Sequence, residues 1–198
     1  MKSIKGYIFL MVILLSSFIS TACMWTEEGY VSTAVRYMEQ KYGETFVDAN
    51  MFNKNSVAMS LRKNRRIRVI AEYGDFNGNG KKEWGDNYLY YLHMDEIYND
   101  AKEVADSVYE NNKVYIKINK ITNNFPVDVN ILELYKRGTF TTYIYTDKDV
   151  ADKEEDAIKI KQGMYDKQMY GIVNINYLRK KEFDKMSEDK IDEVSMKG

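Results

Sequence analysis

The stretch whose residue types and spacing come closest to known chemistry is Asp75-Phe76-Asn77-Gly78-Asn79-Gly80. Side-chain oxygens stand at positions 1, 3 and 5 and a glycine at 6, the order in which a helix–loop–helix calcium loop begins. Such a loop needs six to eight oxygens and closes with a bidentate glutamate at position 12. Position 12 here is Asp86, position 8 is Lys82, and a strand-like rather than helical pattern precedes the loop. Lys81 and Lys82 also place positive charge beside any cation. The competing reading is a hairpin turn, because glycine and asparagine both tolerate positive φ. The spacing favours the turn, with calcium binding as the alternative, and no residue is assigned as a metal ligand.

Other chemistry is thinner. His93 is the only histidine, which rules out histidine-rich zinc sites. As a general base it would need a nucleophile and an orienting carboxylate. Asp95 and Glu96 are near, but no nucleophile motif accompanies them. No P-loop, dinucleotide fingerprint, H-E-x-x-H or G-x-S-x-G occurs. Carboxylates are plentiful but fall on charged helix faces, so no glycosidase pair can be picked out. No catalytic residue and no cofactor is assigned, and the expectation is a protein that is not an enzyme. Arg62-Lys63-Asn64-Arg65-Arg66 with Arg68 is the one dense basic run. It reads either as a solvated turn entering a strand or as a contact for anionic headgroups or wall polymers. Tyr88, Tyr90, Tyr91, Tyr143 and Tyr145 could line a sugar- or peptide-binding face, since tyrosine offers a flat apolar ring with a polar tip. On strands such residues more often pack a sheet against helices.

The first 23 residues give an address. Lys2 and Lys5 precede an apolar run from Tyr7 to Leu15, and small residues Ser20, Thr21 and Ala22 lead to Cys23. That order is a secretory signal peptide, too short to span a bilayer comfortably. Ile19-Ser20-Thr21-Ala22-Cys23 resembles a bacterial lipobox. The resemblance implies cleavage after Ala22 and diacylglycerol on Cys23, and two acyl chains suffice for stable anchoring. It departs from the pattern at Ser20, where leucine is usual. Ordinary signal cleavage at the same bond, leaving an unmodified Cys23, is the competing reading.

Composition sets further bounds. The chain has 198 residues, 30% charged and 14% aromatic, with 17 tyrosines. That is the balance of a folded domain. The leader holds two lysines and no acid, which takes the net charge of −1 to −3 for the remainder. Nothing in that balance calls for nucleic acid as a partner. Cys23 is the only cysteine, so no internal disulfide can form. For an exported protein this points mildly to a Gram-positive setting.

The elements that must position these residues follow from periodicity. Glu27 to Tyr42 predicts a helix closed by Gly43. Glu44 to Asn50 reads as a short strand, and Val57 to Leu61 is ambiguous. Ile67 to Tyr73 and Trp84 to Leu92 read as strands of a hairpin turning at 75–82. Asp95 reads as the cap of a helix burying Ile97, Ala101, Val104, Ala105 and Val108. Lys113 to Ile118 alternates as a strand. Asn130 caps a short helix that Gly138 closes. Phe140 to Thr146 is a strand, Asp152 to Lys167 a helix weakened by Gly163, and Met169 to Leu178 a strand. Lys180 to Val194 reads as a charged helix with Phe183, Met186, Ile191 and Val194 as its apolar stripe. The fold class is α+β, helices packed on a mainly antiparallel sheet. Residues 1–22 are the signal peptide and 23–198 a single domain, with a two-lobe division near Asn119 to Asp128 as the alternative.

Two stretches carry a resemblance beyond the leader: Tyr37 to Phe46, YMEQKYGETF, and Gly85 to Leu92, GDNYLYYL. With the leader they resemble small uncharacterised lipoproteins of Gram-positive, Clostridia-like bacteria. The resemblance implies a lipid-anchored protein on the extracytoplasmic side of the cell membrane and brings no activity with it. It carries over only Cys23 as the lipid site. The expected partners are the membrane, through that lipid, and a protein, peptide or wall ligand. A cell-surface hydrolase with an acidic site and a calcium-dependent binding module are the alternatives.

Overall fold

Thr26 caps the first helix: its Oγ1 accepts the Gly29 N–H at 3.1 Å. The computed structural model describes residues 26–119, 122–138 and 140–187. The leader, Cys23, and the Ile191 and Val194 of the expected last helix lie outside them. The protein is α+β and falls into two compact units. Unit 1 runs to Asp86 and takes in Thr122–Val127; unit 2 holds Asn87–Ile121 and everything from Asp128.

In unit 1, α1 (Glu27–Tyr42) buries Ala34 and Met38 completely. Glu27 and Glu28 lie in its first turn, where the helix dipole favours acids. Gly43 ends it at φ 67°, a left-handed conformation that any Cβ would strain. The chain then returns through a four-stranded antiparallel meander, β1 (Phe46–Asn53), β2 (Ser56–Leu61), β3 (Asn64–Gly74) and β4 (Glu83–Asp86), in that spatial order. The ambiguous Val57–Leu61 stretch is the second of these strands. Val57, Ala58 and Met59 are all buried, so both faces are covered and the alternation that marks a strand disappears. An antiparallel backbone pair between Asp86 and Asn123 attaches Thr122–Val127 to this unit. Thr122 Oγ1 also donates to Glu72 at 2.8 Å.

Unit 2 has its own sheet, β5 (Asn112–Ile118), β6 (Phe140–Thr146) and β7 (Ile172–Tyr177). β5 and β6 are antiparallel, and β6 and β7 are parallel. The parallel pair needs a crossover, which the helix Lys153–Asp166 supplies. The helices here are α2 (Tyr88–Leu92), α3 (Met94–Asp106), α4 (Ile131–Arg137), α5 (Lys153–Asp166) and α6 (Lys180–Phe183). Asn130 Oδ1 caps α4 by accepting the Leu132 N–H, and Gly138 closes it at φ 60°. Gly163 does not weaken α5 idly. A Cβ there would stand 2.8 Å from Val104 Cγ1, so the glycine lets α5 approach α3.

The structure corrects several expectations. There are two sheets rather than one, and the second is mixed. The second hairpin strand stops at Asp86, and Tyr88–Leu92 is a helix. Its residues suit strands, but Tyr88, Leu89 and Tyr90 are buried in succession, a pattern shared by a doubly covered strand and a helical turn inside a core. Asp95 does not cap α3. The helix starts one residue before it, and Asp95 and Glu96 occupy the first turn instead. β7 is shorter than expected, and α6 ends at Phe183 in a turn. Among the described residues, no helix is long and apolar enough to cross a membrane.

Candidate functional site

The loop after β3 is built around the Asp75 carboxylate. Its Oδ1 accepts the N–H groups of Asn77 and Asn79 at 3.3 and 3.2 Å, and its Oδ2 accepts that of Gly80 at 2.7 Å. The Gly80 bond, with those of its neighbours, holds this carboxyl below the usual range. Gly78 and Gly80 take φ of 66° and 78°, which lets the amides turn inward. Asn77 donates its side-chain amide to Glu83 at 2.7 Å, and Asn79 Oδ1 accepts the Lys81 N–H at 2.9 Å. The Asp75 and Asn79 oxygens, two of the three whose spacing fits a cation, thus serve the loop's own amides. Among the described residues, no three His, Cys, Asp or Glu side chains form a group that could hold a metal ion.

One strand further on lies the densest polar cluster of unit 1. Asp86 ends β4 with its side chain fully buried. Its Oδ2 accepts from Tyr37 Oη at 2.8 Å and from Lys41 Nζ at 2.8 Å, and its Oδ1 from Tyr42 Oη at 2.7 Å. Lys41 Nζ lies 5.4 and 5.2 Å from the Tyr37 and Tyr42 ring centroids, within cation–π range. Burial first, and then the Asp86 charge, push the Tyr37 hydroxyl far above the ordinary tyrosine range. The structure therefore joins the two stretches that carry the sequence resemblance. Tyr37, Lys41 and Tyr42 come from the first and Asp86 from the second. Sequence reading missed this cluster. The available signal was Tyr37 and Lys41 at i and i+4, which places them on one helix face. Beside the cluster, Trp84 packs against Tyr30, Tyr37 and Tyr73, with ring centroids 5.0, 6.0 and 5.4 Å away.

Unit 2 combines carboxylate, lysine and tyrosine again, at half-buried Asp100 and at buried Asp156. Asp100 accepts from Tyr135 Oη at 2.6 Å and Lys167 Nζ at 2.8 Å. Asp156, itself buried, accepts from Lys148 at 2.7 Å. The Tyr109 and Tyr177 hydroxyls are hydrogen-bonded at 3.0 Å beside it. The tyrosines named from sequence pack rather than line an open face. Tyr88, Tyr90 and Tyr145 are buried, Tyr91 and Tyr143 half-buried, and Tyr145 forms a core cluster with Phe183. His93 joins α2 to α3: its N–H donates to Leu89, and its carbonyl accepts from Ile97. Its Nδ1 stands 3.2 Å from Glu96 Oε2.

Arg62 and Lys63 form the turn between β2 and β3, and Arg65, Arg66 and Arg68 follow on β3. Arg62, Lys63, Arg65, Arg66 and Arg68 are all exposed. Lys63 pairs with Glu44, Arg65 with Asp48 at 3.6 Å, and Arg68 reaches Asn50 at 3.5 Å. The Arg62 N–H donates to the Thr45 carbonyl, which fixes this turn beside the C-terminal end of α1. The opposite end of α1 meets the β1–β2 turn, where Tyr30 Oη donates to the Asn55 carbonyl at 2.6 Å.

No protein-family model matches this chain, and no curated protein does. Among solved structures it is similar to the crystal structure of a DUF5037 family protein from Ruminococcus gnavus ATCC 29149. The two are 17% identical with a TM-score of 0.42, over 79% of this chain and 78% of that one.

Proposed function

We propose that this protein is a lipoprotein held by acylated Cys23 on the extracytoplasmic face of the cell membrane, where it serves as a binding or accessory module rather than an enzyme. The observation that carries this reading is the leader: a positive start, a short apolar run and a small-residue exit ending on the only cysteine. Anchoring at Cys23 has a consequence for α1. The helix starts at Glu27, four residues after Cys23, so the folded part would stand directly on the anchor. The partner is a protein, a peptide or a wall component. The test compares wild type with Cys23→Ala by intact mass and by partitioning between membrane and medium. A leaderless, acylated, membrane-bound wild type beside a soluble or unprocessed variant is the expected result. Equal release of both forms into the medium would refute it.

A further inference from the structure

From the two ends of α1 we infer that the β2–β3 turn is a binding site for an anionic phosphate polymer of the cell wall, held away from the bilayer. The inference rests on the anchoring reading above. Cys23 stands three residues before Thr26, so the lipid attaches within about 11 Å of the N-terminal end of α1. The helix has 16 residues, so its other end lies about 24 Å away along the axis. The basic turn sits at that far end, tied to Thr45 and Glu44. That separation exceeds the screening length of about 8 Å at physiological salt. The end next to the anchor carries exposed Glu27 and Glu28, which anionic headgroups repel. The first turn of α1 is therefore acidic, with exposed Lys54 in the neighbouring β1–β2 turn, and the cluster of cations stands at the opposite end.

The chemistry of the turn specifies its ligand. Five cations fall within the seven residues 62–68, four of them arginine. Guanidinium forks match phosphate oxygens two at a time. Glu44 and Asp48 each take one cation of the run. Arg62 and Arg66 have no ion pair among the described residues. The cations are strung along the exposed turn and the first residues of β3, three of them held by separate partners, an arrangement that suits a chain of charges better than one small anion.

The probe is long-chain inorganic polyphosphate, with the full protein reconstituted in phosphatidylcholine vesicles. Arg62→Gln combined with Arg66→Gln should weaken binding at least tenfold at low salt. It should also flatten the slope of log affinity against log salt by about 1.4, at about 0.7 for each phosphate no longer neutralised on a flexible polyanion. Lys161→Gln with Lys181→Gln removes the same charge from unit 2 and should leave binding within twofold. Melting temperatures of both variants should match wild type, because all four side chains are exposed. Equal weakening in both pairs, or none in the arginine pair, would overturn the inference. So would phosphatidylglycerol in the vesicles abolishing polyphosphate binding, since that would place the turn on headgroups. The mass of Cys23 separates the two readings. Arginine-dependent binding by an unacylated protein would refute the anchor alone. An acylated protein without arginine dependence would refute only the polymer site.

Discussion

Removing the Asp86 carboxylate should cost unit 1 a large part of its stability. Taking away one partner of a buried ion pair costs about 3–5 kcal/mol, because the other charge is stranded. Lys41 keeps 12% of its side-chain surface exposed against 0% for Asp86, so its ammonium can move toward water and the loss falls near the low end. Tyr37 and Tyr42 also lose their acceptor. Both are half-buried, so water recovers part of the roughly 1–2 kcal/mol that each bond would otherwise cost. Asp86→Ala should therefore lose about 4 kcal/mol in all. For a chain of this size that lowers Tm by about 8–16 °C. Adding Lys41→Met removes the stranded charge and should restore at least half of the loss. Urea unfolding followed by Trp84 emission reads this unit, since Trp84 stacks on Tyr37. A loss below about 1 kcal/mol for Asp86→Ala would refute the reasoning, as would a double variant whose loss is the sum of the single ones.

Two further outcomes follow from the titrating groups. Tyr37, Tyr109 and Tyr135 are held protonated above the ordinary range, each by burial first and then by Asp86, Tyr177 and Asp100 respectively. A group whose pKa is raised on folding contributes fully below its unfolded value and loses that contribution as pH rises past it. Stability should therefore fall above pH about 10 by about 1.4 kcal/mol per tyrosine and pH unit. Phenolate absorbance and unfolding should rise together, and all phenolates appearing near pH 10 with the fold intact would contradict this. Asp75 is depressed in the folded state, chiefly by the Gly80 N–H, so its contribution is present above the unfolded carboxylate value and lost as pH falls through the folded one. Asp75→Ala should lower Tm at neutral pH, with the gap to wild type closing on acidification below pH about 4. Calcium should leave the Tm of both unchanged, and a calcium-dependent rise that Asp75→Ala abolishes would restore the cation reading of the loop.

Local signals made much of this fold readable. Gly43 and Gly138 mark helix ends because only a residue tolerant of positive φ closes them there. Asn130 marks a start because its short side chain reaches a free amide. The face of α3 was legible because Ile97, Ala101, Val104 and Ala105 repeat at helical spacing. What failed was decided by distant partners. Tyr88–Leu92 has strand residues, yet it sits in a core that buries three consecutive side chains, which periodicity cannot distinguish. Gly163 looked like a flaw in α5 because Val104, 59 residues earlier, was invisible from sequence. The Asp75 loop read correctly as a turn because its bonds lie within five residues.

The same division explains the excess of tyrosine. A tyrosine on an aromatic-rich strand or helix reads more readily as packing than as a ligand platform, but residue type alone does not separate the two. What separates them is the hydroxyl, and its partner lies far along the chain: Tyr37 and Tyr42 to Asp86, Tyr135 to Asp100. In each case a lysine shares the same carboxylate, Lys41 in unit 1 and Lys167 in unit 2. Asp86 can then be buried as an ion without being left unsatisfied, and Asp100, partly open to solvent, is satisfied in the same way. Each such knot joins three or four side chains from distant parts of the sequence, in a chain whose single cysteine allows no internal disulfide. Substituting phenylalanine for Tyr37 keeps the ring and removes the bond. Its cost, set beside that of Asp86→Ala, measures how much of this cluster is packing and how much is the hydroxyl.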